Sequence, residues 1–123
     1  MVYGIGIDIV RTKRIKEVIE KWGKRFLERV YTENEIAYCY QKRSPYLSLA
    51  VRFAAKEAFI KAIGSEIIVS LNEIEVINLG SGKPVIKLNV KLDNYLTNKM
   101  ISNINISLSH EHDYAVACVI LEQ

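Results

Sequence analysis

Cysteine is scarce in this chain: its 123 residues hold two, Cys39 and Cys118, far apart and in no C-x-x-C. That count excludes a cysteine-based zinc site, and each thiol reads as a small apolar residue. No apolar run approaches the roughly 20 residues that a membrane helix needs. Met1 to Val10 is apolar but short, carries Asp8 and follows no basic segment, so it does not read as a signal peptide. Both absences point to the cytoplasm. There is no internal repeat, low-complexity tract or linker, and residues 1–123 suit one small domain. Gly4-x-Gly6 lacks the third glycine of a dinucleotide fingerprint. Gly80-Ser81-Gly82-Lys83-Pro84 lacks the spacing of a phosphate loop and reads as a hairpin turn.

What is present is an ordinary globular composition, half hydrophobic and one quarter charged. A domain this small buries a modest share of its surface, so burial between copies would help it. The net charge of +3 is unevenly spread. Arg11 to Arg29 holds eight basic and three acidic residues, a net +5 that leaves −2 for the rest of the chain. Such a patch attracts an anionic partner, whether nucleic acid, acidic protein or phosphate; a solvated face of Lys/Glu pairs is the bland alternative.

The pattern predicts a buried strand over Val2 to Val10. Tyr3, Ile5, Ile7 and Ile9 fall on one face, and Gly4, Gly6 and Asp8 on the other. Glycines within a strand mark close approach by a ligand or another backbone, which makes Asp8 a suggestive place for chemistry. Thr12 is expected to cap a helix over Lys13 to Trp22 that Gly23 ends, with a short helical turn around Phe26 to Val30. Thr32-Glu33-Asn34-Glu35 is a capping-box pattern for a helix over Glu33 to Gln41. Ser44-Pro45 should open a long helix that ends at Gly64. Strands follow at Glu73 to Leu79 and Val85 to Leu88, then a helix over Asp93 to Met100. The chain should close on an alternating strand through Ile104, Ile106 and Leu108, a turn over His110 to Asp113, and a central strand from Tyr114 to Leu121. Helices and hairpins segregate along the chain, which argues for an α+β fold.

Two segments could carry chemistry. In Arg52-Phe53-Ala54-Ala55-Lys56-Glu57-Ala58-Phe59-Ile60-Lys61, Glu57 and Lys61 share a helix face. Alone they read as an exposed ion pair. Beside Asp8, they resemble a minimal site for a diphosphate held through a hard cation such as Mg²⁺, which takes carboxylate oxygens, waters and phosphates. In Ser107-Leu108-Ser109-His110-Glu111-His112 lie both histidines of the protein. A zinc site there lacks a third ligand. A plain turn, or a Ser/His edge donating to phosphate oxygens, are the other readings.

Gly4-Ile5-Gly6-Ile7-Asp8-Ile9-Val10, then Arg52 to Ala58 with Lys61-Ala62-Ile63-Gly64, then Ser107-Leu108-Ser109-His110 with Tyr114-Ala115, together resemble the signatures of the 4′-phosphopantetheinyl transferases. Length and motif order are similar to the short, single-domain holo-acyl-carrier-protein synthase branch. The resemblance spans the chain and includes Gly82-Lys83-Pro84. It implies the α+β 4′-phosphopantetheinyl transferase fold, a homotrimer with active sites between neighbouring subunits, and work in fatty acid biosynthesis. It implies that coenzyme A is the donor and a serine of acyl carrier protein the acceptor, with 3′,5′-ADP leaving.

By the same resemblance, Asp8 and Glu57 hold Mg²⁺, with Mn²⁺ an alternative. Lys61 contacts phosphate, and Arg52, Gly64, Ser109 and His110 contact coenzyme A, His110 serving the site of an adjacent subunit. Arg14, Lys21 and Arg25 on the basic first helix dock the acidic carrier protein. Glu111 stands where the family commonly has aspartate, and Ser65-Glu66 depart from its pattern after Gly64. The general base is left open among Glu111, Glu57 through a water, and a neutral Lys61, which nearby phosphates and Glu57 oppose. Two rivals are a nucleic-acid-binding module, for which no stacking motif is present, and a scaffold without catalysis. Neither a nucleic acid nor a membrane is an expected partner.

Overall fold

In the computed structural model, which describes residues 1–123, the chain runs β1 (Val2–Arg11), α1 (Thr12–Trp22), α2 (Lys24–Val30), α3 (Glu33–Tyr40), α4 (Tyr46–Ile63), β2 (Ile74–Asn78), β3 (Pro84–Leu88), α5 (Val90–Asn98), β4 (Asn103–Glu111) and β5 (Tyr114–Glu122). Everything is arranged about α4. Eleven of its 18 residues are buried, because apolar residues surround its axis and such a helix is stable only when covered on several sides. A three-stranded antiparallel sheet, ordered β1-β5-β4, covers one side, and the β2-β3 hairpin, α1 and α3 cover the others. The α+β segregation expected from the sequence is the observed architecture.

The two faces of β1 differ. Gly4 and Gly6 face α4, where a Cβ would lie 1.9 Å from the Ala62 carbonyl oxygen or 1.8 Å from that of Ala58. Those glycines therefore mark close approach of another backbone, and they let the sheet settle directly on the helix. Ala115, Ala117, Val119 and Leu121 of β5 continue this inner face and are fully buried. The expected burial of the other face does not hold within one chain. Ile5, Ile7 and Ile9 are 62–63% exposed. They pair across the sheet with Ile120, Cys118 and Val116 and form an uncovered apolar surface. Tyr3 leaves that row, because a bulge between Val2 and Gly4 breaks the alternation.

Local signals set most helix ends. Thr32 and Glu35 form the full capping box of α3, and Gly23 and Gly64 end α1 and α4 at φ 55° and 88°. Four expectations shift. Thr12 is the first residue of α1 rather than its cap, and its hydroxyl is buried without a partner. Pro45, not Ser44, precedes the first residue of α4. Helix α5 begins at Val90 because the Asn89 side chain caps it by accepting from the Leu92 N–H at 3.0 Å. His110 and Glu111 belong to β4, and only His112 and Asp113 make the turn, with His112 at φ 46°.

A buried ion pair ties these elements to α4. The Lys56 ammonium donates to Glu35 Oε1 at 2.5 Å and to the carbonyls of Ile74, Val30 and Leu71 at 2.6, 2.8 and 3.1 Å. Burial lowers the Lys56 pKa, and the Glu35 carboxylate works against that shift. Glu35 Oε2 also accepts the Val76 N–H at 2.9 Å, so α3, β2 and α4 share one polar hub. Cutting one partner would strand a buried charge, which costs about 3–5 kcal/mol.

Candidate functional site

Asp8 sits on the inner face of β1, two positions beyond Gly6, where the glycines have drawn the strand onto α4. Its Oδ1 lies 3.3 Å from Lys61 Nζ, which also donates to the Ile7 carbonyl at 2.9 Å. Lys61 thus bridges strand and helix, and the exposed Glu57–Lys61 pair expected from their spacing does not form. Glu57, one turn earlier on α4, is half-buried. That burial raises its pKa, and the negative charge of Asp8 raises it further, while Lys61 pulls it down. Gly64 ends the helix three residues beyond Lys61.

A carboxylate pair in which Asp8 disfavours the charge of Glu57, with a lysine beside them, suits a divalent cation. No third His, Cys, Asp or Glu joins them. That donor set fits Mg²⁺, which binds through one or two carboxylates and leaves its other positions to water and phosphate. It does not fit zinc, whose sites carry three or four protein ligands drawn mainly from His and Cys.

Arg52 lies nine positions before Lys61 on α4, about 180° away around the helix. It is 4% exposed. Its Nη1 donates to Ser48 Oγ at 2.8 Å and its Nη2 to Asn78 Oδ1 at 2.5 Å. The guanidinium carbon lies 4.6 Å from the centre of the Tyr38 ring, over which Lys42 also sits at 4.8 Å. These residues line a cleft of about 590 Å³ that reaches Gly82, Pro84, Ser107 and His110. Two of its cations are thus fixed by an aromatic face and by hydrogen bonds, an arrangement suited to an anion.

The sequence-predicted residues therefore separate into groups. Asp8, Glu57 and Lys61 come together, and Arg52 and His110 come together elsewhere. Ser109 and Glu111 lie instead in a shallow depression with Ile9, His112 and Tyr114, which His110 also borders. Within the sheet, Glu111 is two strands across and three positions along from Asp8, so one chain does not join them. Arg14, Lys21 and Arg25 are exposed on α1 and α2. Lys21 and Arg25 flank the Trp22 ring at 5.3 and 6.0 Å, beside a cleft lined by Val18, Trp22, Phe26 and Arg29. Sequence reasoning missed Tyr38, Ser48, Asn78 and Lys56. A lysine within an alanine-rich helical stretch was a readable signal for Lys56. The Arg52–Asn78 contact joins residues 26 positions apart and had none.

Comparison with known proteins gives the same family. The model of the 4′-phosphopantetheinyl transferase superfamily matches residues 4–119. A holo-[acyl-carrier-protein] synthase of Halothermothrix orenii is 43% identical over 124 residues, covering 100% of this chain and 99% of the relative. The crystal structure of a holo-[acyl-carrier-protein] synthase from Neisseria meningitidis is similar at 39% identity and a TM-score of 0.93, with 100% of both chains covered. One from Bacillus anthracis, solved in complex with CoA (3′,5′-ADP), is similar at 37% identity and a TM-score of 0.80, covering 98% of this chain and 96% of that one.

Proposed function

The chain belongs to the 4′-phosphopantetheinyl transferase superfamily, and from that premise we propose a Mg²⁺-dependent holo-[acyl-carrier-protein] synthase whose site is shared between copies of the chain. The enzyme transfers the 4′-phosphopantetheine group from coenzyme A to a serine of apo acyl carrier protein and releases 3′,5′-ADP. The observation that carries the metal assignment is the Asp8–Glu57 pair, two carboxylates on a glycine-lined approach of strand to helix with Lys61 beside them.

In this reading Asp8 and Glu57 hold Mg²⁺, with Mn²⁺ able to take the same donors. When bound, the cation neutralises the diphosphate and orients it for in-line attack. Lys61, anchored on the Ile7 carbonyl, offers an ammonium to a phosphate oxygen. The Arg52–His110 cleft receives the nucleotide end of coenzyme A. The serine hydroxyl attacks the β-phosphorus, the phosphoanhydride bond breaks, and the electron pair leaves with 3′,5′-ADP. Three groups were open as the base. Pairing with Asp8 makes Lys61 a donor rather than the base. Within one chain that leaves Glu57, acting through a water, to accept the serine proton. Glu111 could act only from an adjacent copy.

Two observations support a homotrimer. Asp8, Glu57 and Lys61 do not line the Arg52 cleft, so each chain carries two half-sites. The Ile5, Ile7 and Ile9 surface is uncovered, and burying such a surface between copies is favourable at about 25 cal/mol per Å². The basic surface around Arg14, Lys21 and Arg25, with the apolar cleft at Trp22, suits an acidic carrier protein. The single domain works in the cytoplasm and supplies holo carrier protein to fatty acid synthesis; no helix is long and apolar enough to cross a membrane.

The direct test is the intact mass of apo acyl carrier protein after incubation with this protein, coenzyme A and Mg²⁺. A gain of one phosphopantetheine, lost with EDTA, is expected. A gain that persists with EDTA would refute the metal assignment, and no gain would refute the acceptor.

A further inference from the structure

Cys39 is fully buried, yet its Sγ lies 3.2 Å from Ser48 Oγ, positioned to donate. Ser48 Oγ also accepts from Arg52 Nη1 at 2.8 Å. A hydroxyl oxygen has two acceptor sites and one proton. Both contacts of Ser48 Oγ use its lone pairs, so its own proton remains to be given. Arg52 Nε is likewise buried without a partner. Ser48 and Arg52 line the same cleft. The Ser48 proton is therefore left unspent at an anion-receptive wall, where a donor without an acceptor costs about 1–3 kcal/mol. Cys39 has no other hydrogen-bond partner, and burial raises its thiol pKa, which keeps it the S–H donor.

We propose that Ser48 is a further binding residue for the anionic nucleotide end of coenzyme A, and that Cys39 is the positioning residue that turns the Ser48 hydroxyl toward that ligand. With Cys39 and Arg52 both donating to the serine oxygen, its O–H is directed away from them and into the cleft. Ser48 Oγ then gives a hydrogen bond to a phosphate-type oxygen from a wall already fixed by Tyr38 and Asn78. The inference rests on the reading that this cleft takes the nucleotide end.

The probe is 3′,5′-ADP, with binding read by calorimetry on the assembled protein and compared with steady-state kinetics. Ser48→Ala should weaken 3′,5′-ADP about tenfold. It should raise KM for coenzyme A while leaving kcat and the KM for carrier protein unchanged. Cys39→Ala should weaken 3′,5′-ADP about threefold, and Cys39→Ser, which keeps a donor, should restore it. In the Ser48→Ala background, Cys39→Ala should change nothing further, because its effect passes through that hydroxyl. Persistence of the Cys39→Ala effect in that background, or wild-type binding by Ser48→Ala, would overturn the inference. Arg52→Ala separates the two levels. Loss of binding with Arg52→Ala but not Ser48→Ala would overturn this inference alone. No loss with Arg52→Ala would overturn the placement of the nucleotide end and this inference with it.

Discussion

On the sheet side of α4, Asp8 and Glu57 crowd two negative charges against one lysine; on the opposite side, Arg52 and Lys42 stack on Tyr38 and wait for an anion. The first half gains its shape from missing side chains: Gly4 and Gly6 leave no Cβ between β1 and α4. The second gains its shape from added ones: Tyr38, Ser48 and Asn78 each fix part of one guanidinium. The contrast separates two tasks. In the proposed enzyme the carboxylate side acts on the diphosphate, and the guanidinium side holds the far end of the same molecule.

Substitutions should keep those tasks apart. Asp8→Ala or Glu57→Ala should lower kcat by about a thousandfold or more while thermal unfolding stays near wild type. Arg52→Ala should act chiefly on KM for coenzyme A. Steady-state kinetics showing the same kcat loss for all three would erase the distinction. Gly6→Ala attacks the carboxylate side through packing. Its Cβ would meet the Ala58 carbonyl at 1.8 Å, and a destabilisation of about 3 kcal/mol or more is expected in urea unfolding. Wild-type stability would mean that β1 and α4 tolerate separation.

How much of this was legible in the sequence follows the range of each interaction. Gly23, Gly64 and the Thr32–Glu35 box act over one turn, and all three gave the right helix ends. The alternation of β1 correctly separated Asp8 and the glycines from the isoleucines. It could not say which face meets α4, because hydrophobicity pointed to the isoleucine face. Backbone contact with Ala58 and Ala62 decided otherwise. Asp8, Glu57 and Arg52 were readable as motif residues, but the turn of α4 that sends Lys61 to Asp8 and Arg52 to Asn78 needed the tertiary structure. Lys56 had only its alanine neighbours as a signal, and the convergence of Glu35 with three carbonyls shows why it is buried.

Smaller effects sharpen the comparison further. Arg14→Glu should raise KM for carrier protein several-fold and leave that for coenzyme A unchanged, with the difference shrinking as salt rises. Equal changes in both KM values would remove α1 as the docking face. The smallest effect concerns Glu57 alone. Its folded-state pKa is raised, so the metal-free protein binds that proton more readily folded than unfolded. Stability should therefore rise as pH falls through the raised Glu57 pKa toward the ordinary carboxylate range, and decline as pH climbs back. Glu57→Gln should flatten that part of the stability profile; an unchanged slope would mean that Asp8 and burial do not disfavour the charge.

The central claim is that each chain supplies two half-sites that work only when copies meet. Asp8→Ala and Arg52→Ala, each inactive alone at low coenzyme A, can be unfolded together in equal amounts and refolded as mixed assemblies. If a working site takes Asp8 from one copy and Arg52 from its neighbour, about a quarter of the sites should regain both residues. Activity near that fraction of wild type is the expected result. A mixture as inactive as its components, from assemblies shown to contain both variants, would place the whole site within one chain and contradict the claim.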